Sequence, residues 1–271
     1  MSSKAKVLVL RIEGTNNEWE TYNALKDVGL DAEILHLNEL IYEKRELSEF
    51  DAMFIPGGFS SGDYVRAGAL FAARLKCELG KDLEKFVDEG KPVCGICNGF
   101  QVLVELGLLP GFEGMAEKPE CAFVINDSGR FECRPTLLKS ETEKCIFTKK
   151  IKKGKIMYAP SAHAEGKLLF PKDKEKRYIE KLLENEQIVF RYVDENGKYA
   201  GYPYNPNGSP YNISAICNPS GNVLGIMPHP ERSFEKYQLP DWTRGSVCLK
   251  KDILLGRAVF ESLSEFLKSR V

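Results

Sequence analysis

Gly95-Ile96-Cys97-Asn98-Gly99 is the segment whose residue types and spacing most directly allow chemistry. It lies where an apolar stretch, Pro92 to Ile96, gives way to a helical pattern, Gly99 to Leu106. The run matches the glycine–x–nucleophile–x–glycine elbow, with a thiol in place of the hydroxyl. Small neighbours let the backbone turn sharply and lift the Cys97 side chain clear of a sheet. The helix that follows points its N-terminus at the sulfur, which favours the thiolate. The backbone N–H of Asn98 is then free to bind an oxyanion. Two other readings compete. Cys97 is a buried structural cysteine beside two glycines, or Cys94 and Cys97 form a redox or zinc C-x-x-C pair. Zinc needs two further ligands, and the sequence offers neither a second C-x-x-C nor a close histidine pair.

A cysteine nucleophile wants an imidazole base, and the base wants an orienting carboxylate. The chain has three histidines, His36, His163 and His229. His229 sits in Met227-Pro228-His229-Pro230-Glu231-Arg232. In an extended segment residues two apart point the same way, so His229 and Glu231 lie side by side, with the prolines keeping the backbone extended. The competing reading is a surface histidine in a proline turn. A third segment, Ile55-Pro56-Gly57-Gly58-Phe59-Ser60-Ser61-Gly62-Asp63, ends another strand. Its glycines let backbone approach a ligand closely, and its N–H groups supply the second half of an oxyanion hole. A tight turn or a phosphate loop would look similar, but the Walker lysine and a GxGxxG pattern are both missing.

The elements that must position these residues alternate. Strands are expected at Lys6 to Ile12, Asp31 to Leu35, Asp51 to Ile55 and Pro92 to Ile96. Helices are expected at Glu18 to Val28, Ala67 to Cys77, Lys81 to Glu89 and Gly99 to Leu106. Such alternation implies an open, mostly parallel sheet flanked by helices, an α/β fold with ligands bound beyond the carboxyl ends of the strands. The middle of the chain adds antiparallel character. Cys121 to Cys133 reads as a hairpin around Asp127-Ser128-Gly129. Lys155 to Tyr158 and Ile188 to Val193 read as strands, and Asp173 to Asn185 as a charged helix. Gly201 to Tyr211 is a loop. Ile213 to Cys217 pairs with Val223 to Met227, and a helix from about Val247 to Leu267 closes the chain. Without a linker, repeat or composition break, residues 1–271 are expected to form one domain.

A length of 271 residues suffices for a real core. The formal net charge of −1 gives no global pull toward nucleic acid or an acidic membrane. No run approaches the roughly 20 apolar residues that span a bilayer, and the polar start, Met1 to Lys6, lacks a signal peptide's apolar stretch. A cytoplasmic protein is expected, with most of its eight cysteines reduced and buried.

These segments, in this order, resemble the class I (triad) glutamine amidotransferases. Further blocks sharpen the likeness: Gly14-Thr15-Asn16, Arg66-Ala67-Gly68, Ala162-His163-Ala164-Glu165-Gly166 and Asn207-Gly208-Ser209-Pro210. With Gly95 to Gln101 and Gly225 to Arg232 they are similar to the glutaminase subunits of phosphoribosylformylglycinamidine synthase, from Leu8 to about Arg232. The chain departs from the pattern at Asn17, where many relatives carry Cys, and at Ala164, where they usually have Gly. The resemblance implies a flavodoxin-like sheet with added antiparallel strands. It implies that Cys97 attacks the glutamine amide, that backbone N–H groups of Gly58 and Asn98 hold the oxyanion, and that His229 moves the proton while Glu231 orients it. Gln101, Phe59 and His163 are the implied substrate-binding residues, and no metal is implied. It also implies a large synthetase subunit and a small third protein as partners, with ATP and Mg on the synthetase and no cofactor in this chain. Rival readings are a stand-alone cysteine hydrolase or peptidase of the same fold, a catalytically silent partner-binding subunit, and a redox protein.

Overall fold

The computed structural model of the chain describes residues 4–43, 45–244 and 253–270. Its first third is a run of β/α units: β1 (Lys6–Arg11), α1 (Glu18–Asp27), β2 (Asp31–His36), α2 (Leu37–Tyr42), β3 (Ala52–Ile55), α3 (Ala69–Asp88), β4 (Val93–Ile96) and α4 (Asn98–Glu105). The rest comprises β5 (Ala122–Val124), β6 (Glu132–Ser140), β7 (Ile156–His163), β8 (Lys167–Leu169), α5 (Glu175–Glu184), β9 (Ile188–Val193), β10 (Ile213–Cys217), β11 (Val223–Ile226), β12 (Ile253–Leu255) and α6 (Arg257–Lys268).

Ten of the strands form one sheet in the order β12-β7-β6-β9-β10-β11-β4-β3-β1-β2. From β2 to β11 every neighbour is parallel, whereas β10, β9, β6 and β7 continue antiparallel. The inner parallel strands are buried on both faces, which is why Val7, Leu8, Val9 and Leu10 of β1 read as an unbroken apolar run with no water-facing alternation. Helices cover both faces. Phe54 of β3 stacks on Phe260 of α6 with ring centroids 5.6 Å apart, while its neighbour Ile55 lies against Gly99 of α4. Adjacent strand residues point to opposite faces, so α6 and α4 flank the sheet on opposite sides.

The mostly parallel, helix-flanked sheet agrees with the sequence reading, and so does the pairing of β10 with β11. Three expectations need correction. The segment Cys121 to Cys133 turns at Asp127-Ser128-Gly129, where the Gly129 N–H bonds the Asn126 carbonyl at 2.8 Å, but it is no hairpin. β5 pairs with β8, and the chain beyond the turn enters β6, which pairs with β7 and β9. Turn residues tell where a chain bends, not which partner each arm finds. The two helices expected between Ala67 and Glu89 are one, α3, bent at Leu79 just before Gly80. The closing helix is shorter at its start. Ile253 to Leu255 extends the sheet beside β7 and α6 begins only after Gly256, because an apolar run at a sheet edge finds strand pairing available. Residues 247–252 of that expected helix lie outside the described residues.

Candidate active site

The β1, β3, β4 and β11 strands run parallel, so their carboxyl ends share one edge of the sheet. In register, Ile226 of β11 sits beside Ile96 of β4. The residues that follow the two strands, Met227 to Arg232 and Cys97, therefore leave the sheet together. The Cys97 N–H donates to the Ile226 carbonyl at 2.8 Å, tying the two exits.

Cys97 has φ 51° and ψ −105°, a conformation L-residues avoid. It persists because the chain on both sides is fixed. The Cys97 carbonyl accepts from the Phe100 and Gln101 N–H groups, which start α4, and Gly99 sits directly on β3. The sulfur lies 3.6 Å from the Ala162 carbonyl, to which the thiol donates. As the first residue of α4, Asn98 has a backbone N–H with no intrahelical acceptor. Its side chain holds the neighbouring loop: it accepts from the Ser60 N–H at 3.3 Å and donates to Asp63 at 3.3 Å and Gln101 at 3.0 Å.

His229 and Glu231 come together as their spacing predicts. The imidazole Nδ1 lies 2.6 Å from Glu231 Oε1, with both side chains buried. Nδ1 carries the proton and donates it, so Nε2 is the atom left to work, and Nε2 has no hydrogen-bond partner among the described residues. Burial alone would lower the His229 pKa, but the Glu231 carboxylate and Cys97 outweigh it and raise it to about 10. The imidazolium–carboxylate contact therefore adds stability that is fully present below the ordinary histidine pKa and is lost as pH rises through about 10.

One cavity is lined by Asn16, Gly58, Phe59, Cys97, Gln101, His163 and His229 together with Asn17, Asp63, Glu165 and Arg232. The Gly58 segment bridges antiparallel to Thr15, and the bonds are made by its neighbours: Phe59 N–H to the Gly14 carbonyl and Asn16 N–H to the Gly57 carbonyl. The N–H of Gly58 itself makes no backbone hydrogen bond among the described residues. Phe59 stands half-exposed at the mouth, facing Phe131 with ring centroids 6.3 Å apart. Gln101 is buried, and its amide donates to the Glu165 carbonyl at 2.7 Å, so it holds the cavity wall. His163 is buried with neither ring nitrogen partnered among the described residues. Burial, then the neighbouring His229, pushes its pKa down to about 3, so it is neutral. Asp63 is pushed up to about 6 by burial and by Glu165. His36, by contrast, lies away from the cavity and caps α2 through Asn38.

The C-x-x-C reading fares poorly. Cys94 lies within β4, is fully buried, and has its thiol pKa raised well above the ordinary value by burial and then by Glu231. A thiol held protonated away from solvent is a poor exchange partner. Among the described residues no group of three or more His, Cys, Asp or Glu side chains could hold a metal. Two residues of the site were given no role from sequence: Asn17, noted only as a departure from the family pattern, whose amide reaches both His229 and Glu231, and Arg232, which donates to Asn17. The available signal was that a buried His–Glu pair needs a further donor, and that Asn17 follows a glycine turn at a strand end.

Replacing Glu231 by Gln is expected to cut kcat about 1,000-fold, because the amide can present its NH2 to Nδ1 and favour the wrong tautomer. A pH–rate profile and imidazole NMR check it. The His229 pKa should fall from its raised position, since the carboxylate that raises it is gone.

A buried thiol on a strand-to-helix elbow lines one cavity with an imidazole held by a carboxylate, at the carboxyl edge of an α/β sheet, an arrangement that suits a cysteine nucleophile. The sequence matches the CobB/CobQ-like glutamine amidotransferase domain over residues 4–267. It is 58% identical to the phosphoribosylformylglycinamidine synthase subunit PurQ of Archaeoglobus fulgidus over 243 residues, 86% of this chain and 89% of that one. It is 47% identical to the PurQ subunit of Picrophilus torridus over 249 residues, 91% of this chain and 94% of that one. Among solved structures, the PurLQS structure from Thermotoga maritima contains a chain that superposes with a TM-score of 0.73 at 30% identity, covering 98% of this chain and 100% of that one. The chain belongs to the glutamine amidotransferase family and, within it, to the PurQ subunits of phosphoribosylformylglycinamidine synthase.

Proposed function

We propose that this chain is the glutaminase subunit of phosphoribosylformylglycinamidine synthase: it hydrolyses glutamine to glutamate and ammonia through a Cys97 thioester, and the ammonia serves purine biosynthesis. The observation that carries the reading is the placement of Cys97 and His229 around one cavity, with Glu231 2.6 Å from the far nitrogen of His229.

In this mechanism the Cys97 proton already rests on His229 Nε2, and the sulfur attacks the side-chain amide carbon of glutamine. The charge that develops on the amide oxygen is held by the backbone N–H groups of Gly58 and Asn98. The tetrahedral adduct collapses as His229 gives its proton to the departing nitrogen, and ammonia leaves. Water, giving a proton back to His229, then attacks the thioester, and glutamate and the free thiol are released. Glu231 keeps Nδ1 protonated throughout. Two features of the wall suit a free amino acid: acidic Asp63 and Glu165 lie toward the substrate's ammonium, and neutral His163 adds hydrogen-bonding capacity without opposing the imidazolium of His229. Phe59 and Gln101 shape and brace the pocket.

The partners in this reading are a large synthetase subunit and a small third subunit. The Thermotoga maritima PurLQS structure supports the association. ATP and Mg belong to the synthetase, and this chain needs no cofactor of its own. Among the described residues no helix is long and apolar enough to cross a membrane, which accords with a cytoplasmic place for the pathway.

Intact-mass labelling with a glutamine-mimicking diazoketone, followed by peptide mapping, tests the proposal. One adduct on Cys97, blocked by excess glutamine, is the expected result. An absence of adduct both with and without the synthetase would overturn it.

A further inference from the structure

We infer that Asn17, locked in one orientation by Arg232, is a positioning residue for the triad: its amide hydrogen goes to Glu231 and fixes that carboxylate against His229. The inference rests on the glutaminase reading above.

Asn17 precedes α1 and is almost completely buried at 1% exposure. Its backbone N–H donates to the Gly57 carbonyl at 3.2 Å, so its main chain is anchored to the turn that ends β3. Gly57 leaves no room for movement there: a Cβ on it would lie 2.7 Å from both the Asn17 amide nitrogen and the His229 ring.

The two ends of the carboxamide are distinguished by their partners. Arg232 contacts Asn17 Oδ1, and a guanidinium only donates, so that end is the carbonyl. The NH2 end must then face the triad, where it lies 3.3 Å from Glu231 Oε1 and 3.0 Å from His229 Nδ1. Since Nδ1 already carries the proton that it gives to Glu231, it has no lone pair for Asn17. The amide hydrogen therefore goes to Glu231 Oε1. That oxygen receives two donors, while Glu231 Oε2 has none among the described residues. A buried carboxylate with so few donors depends on each of them. Arg232 also lies 3.9 Å from Glu20, and its charge polarises the amide that it holds. The same amide dipole, positive end toward the ring, restrains how strongly the pair favours imidazolium.

The ionisable groups around the pair come from several elements. Cys97 of the elbow and His163 of β7 face His229, and Cys94 of β4 faces Glu231.

The discriminating variant is Asn17→Asp. It nearly preserves shape and keeps an oxygen for Arg232, but it cannot donate and it sets a carboxylate beside Glu231. Glutaminase kinetics in the complete complex with the synthetase are expected to show kcat reduced about tenfold or more with KM within about twofold. Imidazole NMR of the chain, tractable with three histidines, should show the His229 titration moved to higher pH. Arg232→Met should give a smaller kcat loss, since the amide is then free to flip. Should Asn17→Asp fail to fold, Asn17→Ser, too short to bridge both partners, is expected to reproduce the kcat loss. Wild-type kcat with an unmoved titration in Asn17→Asp would overturn the inference in favour of packing alone. A raised KM at unchanged kcat would overturn it in favour of direct substrate contact. Failure of the wild-type chain to label at Cys97 both with and without the synthetase would instead sink the glutaminase reading itself.

Discussion

Replacing Cys97 by serine is expected to abolish glutamine hydrolysis, with kcat falling at least about 10,000-fold, while the melting temperature shifts by no more than a few degrees. Sulfur and oxygen differ little in size, and the Cys97 side chain faces the cavity, with its sulfur 3.6 Å from the Ala162 carbonyl. The unusual backbone of residue 97 is imposed by its neighbours, so serine inherits it. The chemistry does not carry over. His229 is held as imidazolium up to about pH 10 by Glu231 and Cys97, which suits a thiolate partner. A serine hydroxyl needs the opposite, a neutral imidazole able to take its proton, and Glu231 continues to favour the cation. Glutamate release by the reconstituted complex, and co-elution of the variant with the synthetase, separate chemistry from assembly. Hydrolysis retained by the variant would end the nucleophile assignment; lost co-elution would give Cys97 a structural role as well.

The parallel half of the fold was legible because buried parallel strands need unbroken apolar runs bounded by turn residues, and β1, β3 and β4 have them. The place of the site was legible for the same reason: its motifs fall at strand ends. What the local pattern could not carry was partner choice. The arms flanking Asp127-Ser128-Gly129 look like a hairpin, yet β5 pairs with β8 in a separate two-stranded sheet and β6 joins the main sheet. Nothing within the segment encodes that, since alternate positions satisfy any antiparallel neighbour. The site shows a similar limit. Residues with their own chemistry, Cys97, His229 and Glu231, stand out by type and spacing. Asn17 does not, because an asparagine after a glycine turn has an ordinary local explanation in capping. In the structure its side chain makes no cap bond and turns instead to residues more than 200 positions away.

The second large effect is expected at Gly99, whose replacement by alanine should disable the site from behind. A Cβ there would lie 1.9 Å from the Ile55 carbonyl oxygen and 2.7 Å from its carbon. These are backbone atoms of a central strand, and β3 is hydrogen-bonded on both sides, to β1 and β4, so it has no freedom to retreat. The start of α4 must move instead, and it carries Cys97 and the Asn98 N–H with it. Overpacking of this kind costs about 3 kcal/mol, which for a chain of this size lowers the melting temperature by about 10 °C. The catalytic loss should be larger than the stability loss suggests, since a displacement of about 1 Å of reacting groups can cost about 100-fold in rate. Gly201→Ala is the matched control, because a Cβ at Gly201 meets nothing within 4 Å. It should leave both the melting temperature and kcat unchanged. Differential scanning calorimetry and glutaminase assays, run on the two variants below the lower melting temperature, resolve the effects. If Gly99→Ala keeps wild-type kcat, the tight seat of α4 on β3 is not what aims the nucleophile, and the positive-φ backbone of Cys97 must be sustained by its own hydrogen bonds to Ile226, Phe100 and Gln101.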